Sequence, residues 1–339
     1  MQLAIINGRR VAYDVSGDSN GLPILIIHGA WGGPSSTLWN GPRVRWQVPT
    51  DGLRLLWYDR RCAGLSQYDT EPFTLEDLVK DAIDLLDYLQ IKQAAVVATS
   101  AGGPIGMRLA LDYPHRISAL VLLNTGAALM SLEPSGIDPD DPFVADRLET
   151  VTKRLVLLDL LDAHGLEAAV AASEEEWRTP PEPPDPDPAM QAFRNQRRQA
   201  LAGLSKSELR RLARGALLNM QAQCEVDLSD ELSQIKCPTL IIHGDADTTV
   251  PIAFGRALVA RIPTASFVTR SGVGHGLIAE AEAQVLVSEW LVRTRQSRFR
   301  VSQIKGSQSS PSSSLTAVPN HGPQSDGSSS SCQTRHSLP

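Results

Sequence analysis

Cysteine is scarce and scattered. The 339-residue chain has 4, Cys62, Cys224, Cys237 and Cys332, and no C-x-x-C among them. Such spacing gives neither a disulfide framework nor a thiolate zinc site, and reduced thiols in a cytoplasmic protein are the simplest expectation. The histidines show no close ligand spacing, so no metal is expected. Long apolar runs are missing, and none would span a bilayer, so no membrane partner is expected. The opening Met1-Gln2-Leu3-Ala4-Ile5-Ile6-Asn7 lacks a charged start and a cleavage signature, which argues against a signal peptide. Positive charge is not in excess. Lys and Arg total 32 against 38 Asp and Glu, for a formal net charge of −6. That balance argues against nucleic acid as a partner. Oligomeric state stays open.

What the chain does have is an alternation of short apolar runs and helix-like segments. Ile24-Leu25-Ile26-Ile27, Leu53 to Tyr58, Ala94 to Ala98, and Leu120-Val121-Leu122-Leu123 are short, nearly continuous, and end in turn or polar residues, as buried parallel strands do. Leu240-Ile241-Ile242 follows much later. Between them, Thr74-Leu75-Glu76-Asp77 resembles a capping box with Asp in place of Glu, ahead of an apolar stripe through Leu78, Ile83, Leu85, Leu86 and Leu89. Further helices are expected from about Ala101 to Asp112, from about Ile252 to Arg261, and around Val285 to Leu291. The class is therefore α/β, a doubly wound, mostly parallel sheet.

The alternation breaks between residues 127 and 227, a helix-prone, charged stretch interrupted by the Pro-rich run Thr179 to Pro188. It reads as a helical cap or lid of two pieces and a stiff linker, lying over the carboxyl ends of the strands, where open α/β sheets place their ligands. The core would then comprise residues 1–126 and 228–299. From residue 300 to 339 the composition turns Ser-rich and almost free of apolar residues, and a disordered tail is expected.

Ser100 stands in Ala98-Thr99-Ser100-Ala101-Gly102, directly after one apolar run and directly before a helix. Strand, small-Ser-small, helix is the order a serine nucleophile needs. A sharp turn lifts the hydroxyl clear, and the new helix aims its first amides at any negative charge formed there. The alternative for Ser100 alone is a plain helix N-cap.

Further segments join this turn. His28-Gly29-Ala30-Trp31-Gly32-Gly33 follows one strand, and Asp59-Arg60-Arg61-Cys62-Ala63-Gly64-Leu65-Ser66 follows the next. Gly244-Asp245-Ala246-Asp247 follows Ile242, and Gly274-His275-Gly276 lies near the end. Together, in this order, they resemble the α/β-hydrolase family up to about Arg295. The resemblance implies a serine hydrolase, esterase-like, with a lid. Ala98 departs from the family's usual Gly at the start of the elbow, and Cys62 stands where Gly is usual.

The chemistry is consistent with that family. A serine hydroxyl needs a base to take its proton, and His275, in a Gly-rich loop, is the best candidate. An acid must hold the imidazole, and either Asp245 or Asp247 follows the strand closely enough. The family's spacing points to Asp247, with Asp245 as a turn residue. Two backbone amides, those of Ala30 and Ala101, would form the oxyanion hole. Trp31, Gly29 and Thr99 are candidate pocket residues, with Trp39 and Trp177 as further lining. Ser100 at the elbow excludes the haloalkane dehalogenases and epoxide hydrolases, which carry Asp there.

The expected reaction is hydrolysis of a small or medium carboxylic ester or lactone through an acyl-enzyme, with no cofactor. Three other readings share the scaffold: a proline iminopeptidase using Glu174-Glu175-Glu176 to hold an amine, a carbon–carbon hydrolase with the same triad, and a ligand-binding receptor.

Overall fold

The continuous apolar runs become the middle of an eight-stranded sheet. The computed structural model describes residues 1–29, 46, 48–178, 191, 195, 199 and 201–307. Strands β1 (Gln2–Ile6), β2 (Arg9–Gly17), β3 (Leu22–Ile27), β4 (Leu53–Tyr58), β5 (Ala94–Thr99), β6 (Ile117–Leu123), β7 (Thr239–Gly244) and β8 (Ala265–Arg270) lie in the order β1-β2-β4-β3-β5-β6-β7-β8. β1 and β2 pair antiparallel, as do β2 and β4, and all other neighbours are parallel. Every residue of β5 and β7 is buried, which is why those segments carry apolar or small side chains on both faces.

β1, β2 and β8 are not continuous apolar runs. In β1, Ala4 and Ile6 are buried while Leu3 and Ile5 are exposed, and β8 is only half-buried along its length. The edge strands β1 and β8, and β2 next to the edge, are covered less completely, so they lack the signature of the central ones.

The alternating faces of the central strands feed two cores. Leu25 and Ile27 of β3, Val96 and Ala98 of β5 and Leu120 and Leu122 of β6 pack with α1 (Leu75–Tyr88) and α2 (Gly103–Asp112). Ile24, Ile26, Ala95, Val97, Val121 and Leu123 face the other way, onto Leu277, Ile278, Val287 and Leu291. Each aliphatic side chain fully buried in this manner contributes about 1.5–3 kcal/mol. α1 opens on the expected capping box. The Thr74 hydroxyl accepts from the Asp77 N–H (3.3 Å) and the Asp77 carboxylate accepts from the Thr74 N–H (3.0 Å).

Between β6 and β7 the chain forms α3 (Pro142–His164), α4 (Leu166–Arg178) and α5 (Lys206–Gln221). Leu158, Leu161, Ala169, Val170, Ala213 and Leu217 build a small core of their own. The Pro-rich run from Thr179 to Pro188 lies outside the described residues. α6 (Ile252–Arg261) follows β7, and α7 (Ala281–Ser307) continues past Arg300, where the composition changes. Met1–Ser297 packs as one compact unit. No helix among the described residues is long and apolar enough to cross a membrane.

Candidate active site

The parallel strands all point their carboxyl ends to one side, and three loops meet there. β5 runs into Thr99 in extended backbone, and Ser100 turns at φ +50°. A non-glycine residue in that left-handed region carries about 1–3 kcal/mol of strain, tolerated only where the surroundings impose it. Here they do. The Thr125 hydroxyl donates to the Ser100 carbonyl (2.7 Å). A short 3-10 turn, Ser100–Gly102, leads directly into α2. Gly29 presses against the serine from the other side, where a Cβ would sit 2.8 Å from Ser100 Cβ. Only glycine fits this approach.

The loop after β8 carries His275 over the sheet. Its Nε2 is 2.9 Å from Ser100 Oγ, and its Nδ1 is 2.8 Å from Asp247 Oδ2. Asp247 is buried, in the loop after β7, and its other oxygen accepts the N–H groups of Thr249 (2.8 Å) and Val250 (2.9 Å). With Asp247 accepting throughout, the imidazole proton sits on Nδ1. The Nε2 lone pair then faces the serine hydroxyl. Asp245 lies elsewhere in the same turn and accepts the Gly272 N–H (2.7 Å).

Of the residues singled out in the sequence, Ser100, Asp247 and His275 form one continuous hydrogen-bonded chain. Ala101 is buried at the first turn after Ser100, where its N–H has no preceding helical carbonyl to meet. Gly29 and Thr99 are buried beside the serine. Ala30, Trp31 and Trp39 fall outside the described residues.

Four further residues hold this arrangement together. Asn124, fully buried at φ +44°, donates to the Gly274 carbonyl (2.9 Å) and accepts from the Gly244 N–H (3.0 Å). One side chain thus joins the loop before His275 to the turn before Asp247. His243 donates from Nε2 to the Val250 carbonyl (2.7 Å), and burial lowers its pKa, so it stays neutral. His28 and Arg60 act on the other flank. His28 Nδ1 (2.7 Å) and Arg60 Nη2 (3.1 Å) both reach the Gly29 carbonyl, and His28 Nε2 accepts the Arg60 N–H (3.1 Å). Burial, reinforced by Arg60, lowers the His28 pKa to about 3. His28 and Arg60 stand in segments the sequence already marked, whereas Asn124 acts through partners more than a hundred residues away and gave little signal. Only its place as a polar residue at the end of an apolar strand, Leu123-Asn124, could have drawn attention.

The model of the alpha/beta hydrolase fold family matches residues 23–282. This chain belongs to the α/β-hydrolase family. RutD of Caulobacter sp. (strain K31), a provisionally named carbamate hydrolase, is 28% identical over 292 residues, covering 83% of this chain and 94% of its own. Rhodomycin D methylesterase DauP of Streptomyces sp. (strain C5) is 30% identical over 271 residues, covering 77% of this chain and 87% of its own. Among solved structures, the enol-lactonase from Burkholderia xenovorans LB400 superposes with a TM-score of 0.58 at 23% identity, covering 87% of this chain and 100% of that one. The α/β hydrolase described here thus shares its fold with lactone- and ester-cleaving enzymes, and it is a hydrolase.

Proposed function

We propose that this hydrolase cleaves a small or medium carboxylic ester or lactone through a covalent acyl-enzyme on Ser100. The observation that carries the reading is the unbroken chain Ser100–His275–Asp247, at 2.9 and 2.8 Å, on a serine held at φ +50°. A hydroxyl is a weak nucleophile, so its proton must leave as its oxygen attacks. His275 Nε2 is placed to take it. The Asp247 carboxylate then faces the imidazolium that forms, and its own position is fixed by two backbone N–H groups. As the tetrahedral intermediate develops, the Ala101 N–H at the start of the turn stabilises its oxygen. The second donor is expected to be the Ala30 N–H, as the family resemblance implies. The protonated His275 next gives its proton to the leaving alcohol oxygen. Water repeats the sequence on the acyl-enzyme, releasing the acid and restoring Ser100. Nothing in these steps calls for a cofactor.

The names of the methylesterase and enol-lactonase relatives support an ester or lactone as the substrate class. The helices inserted between β6 and β7 would supply the pocket walls. The amine-binding alternative rests on Glu174-Glu175-Glu176, whose side chains fall outside the described residues.

Incubation with a fluorophosphonate probe tests the reading directly. The expected result is a single adduct on Ser100 and a burst of p-nitrophenol from p-nitrophenyl butyrate. In Ser100→Ala both disappear, and turnover falls by about 10⁴-fold or more. Esterase activity that survives in Ser100→Ala would overturn it.

A further inference from the structure

Arg147 is buried, 3% exposed, on α3 among the helices inserted between β6 and β7. It shares a helix face with Val144 and Val151, which are also buried. Its guanidinium makes one hydrogen bond among the described residues, from Nη2 to the Leu129 carbonyl (2.5 Å). Nε is buried with no partner. No described carboxylate lies within ion-pair distance.

The position of this guanidinium is informative. Leu129 lies a few residues beyond Asn124 and Thr125, which grip the His275 loop and the Ser100 turn. Its side chain packs on Val250 and Phe254, and the Val250 N–H is one of the two that hold Asp247. The Arg147 head is therefore one packing layer from the acid end of the Ser100–His275–Asp247 chain. Burial, together with repulsion from Arg154 on the same helix, lowers its pKa to about 9, against the opposing pull of Asp247. Asp247 makes no direct ion pair with it: one carboxylate oxygen accepts from Thr249 and Val250 and the other faces His275. A buried cation without a carboxylate is costly. In a chain of net charge −6, which repels anions overall, one held a packing layer from Asp247 needs a specific reason.

We infer that Arg147 receives a carboxylate carried by the substrate, so that the ester or lactone cleaved at Ser100 is an anionic one. The inference rests on the ester or lactone reading for its reaction but not for its binding site. A planar guanidinium with Nη2 fixed on a carbonyl and its other N–H groups unspent matches an incoming carboxylate.

Two probes test it at constant ionic strength. Glutarate and the neutral glutaramide are titrated into the protein by calorimetry. Mono-p-nitrophenyl glutarate and p-nitrophenyl butyrate are then compared as substrates. The expected result is glutarate binding about tenfold or more tighter than glutaramide. The anionic ester is expected to have the higher kcat/KM. Arg147→Met is expected to cut the anionic-to-neutral ratio of kcat/KM by about ten- to hundred-fold, with Arg147→Lys between. Equal, weak binding of glutarate and glutaramide to the unaltered protein overturns the proposal, whether or not the variants fold. So does a ratio unmoved in Arg147→Met, including a parallel loss on both esters, which would make Arg147 a clasp on Leu129. Hydrolysis of the neutral ester with no preference for the anionic one sinks the anion site and leaves the serine-hydrolase reading intact. Arg147-dependent glutarate binding without turnover of either ester does the reverse.

Discussion

His243 and Val250 are joined by a 2.7 Å hydrogen bond from a buried imidazole N–H to a backbone carbonyl, and Val250 gives its own N–H to Asp247. His243 thus acts on the acid through one backbone residue, and its Nε2 also lies 3.8 Å from Asp247 Oδ2. His243→Leu removes the donor and leaves the Val250 carbonyl buried and unpaired. The turn then loosens and Asp247 drifts from its two N–H bonds. We expect kcat for p-nitrophenyl butyrate to fall about ten- to hundred-fold with little change in KM. His243→Gln, whose amide can still donate, should recover much of that loss. A variant that melts early but keeps its kcat would confine His243 to a structural role.

Ala98 takes the place of a glycine at the elbow, and Gly106 of α2 compensates for it. A Cβ at Gly106 would lie 2.8 Å from the Ala98 Cβ. The room for one methyl between β5 and α2 is already used. Gly106→Ala should overpack this contact and cost about 1–3 kcal/mol. The reciprocal double variant Ala98→Gly/Gly106→Ala moves the methyl across the gap and should restore most of the stability. Urea unfolding of the two singles and the double measures the coupling. Additive losses would contradict the pairing.

The same exchange shows what local pattern reveals. The central strands announced themselves because both of their faces are buried, Ser100 and Asp247 because each occupies a turn shortly after such a strand, and His275 because it stands in a Gly-rich loop. Gly106 carries no such mark, since a glycine in a helix has meaning only once Ala98 is known to face it. Asn124, His243 and Arg147 were illegible for the same reason. Each is one polar residue whose partners, Gly274, Val250 and Leu129, are fixed only by the fold. β1 and β2 escaped because their half-exposed faces mix apolar and polar side chains. Asp245 and Asp247 are chemically alike in sequence, and only the path of the loop sends one to Gly272 and the other to His275.

Cys62 occupies the left-handed region at φ +57°, and its buried sulfur accepts the Asp69 N–H (3.0 Å). Burial pushes the thiol up to about 11, so little thiolate exists at neutral pH. The folded protein should therefore resist iodoacetamide at Cys62 while the unfolded chain reacts, as peptide mapping would show. Cys62→Gly relieves the backbone strain and loses the packing of one small side chain. Its unfolding free energy should stay within about 1 kcal/mol of the parent. Cys62→Val places a β-branched side chain at a positive φ and should cost at least about 2 kcal/mol. Equal stabilities for the Gly and Val variants would rule out strain at this position.

His28 gives the protein an acid-sensitive flank. Its pKa falls from 6.5 in the open chain to about 3 in the fold, through burial and the neighbouring Arg60. Between those values the unfolded chain binds the proton and the folded one does not. Stability is therefore fully present above pH 6.5 and is lost as pH falls toward about 3. One such group contributes a slope of about 1.4 kcal/mol per pH unit inside the window. His243, also held neutral by burial, adds in the same direction. Urea midpoints at pH 7.5, 6.0 and 5.0 should decline accordingly. His28→Gln should be weaker at neutral pH, because the Arg60 N–H and Gly29 carbonyl lose a well-placed partner. Its stability should nevertheless fall less steeply with acid, by about one proton. An unchanged slope in that variant would mean that His28 takes up its proton without unfolding the loop around Gly29.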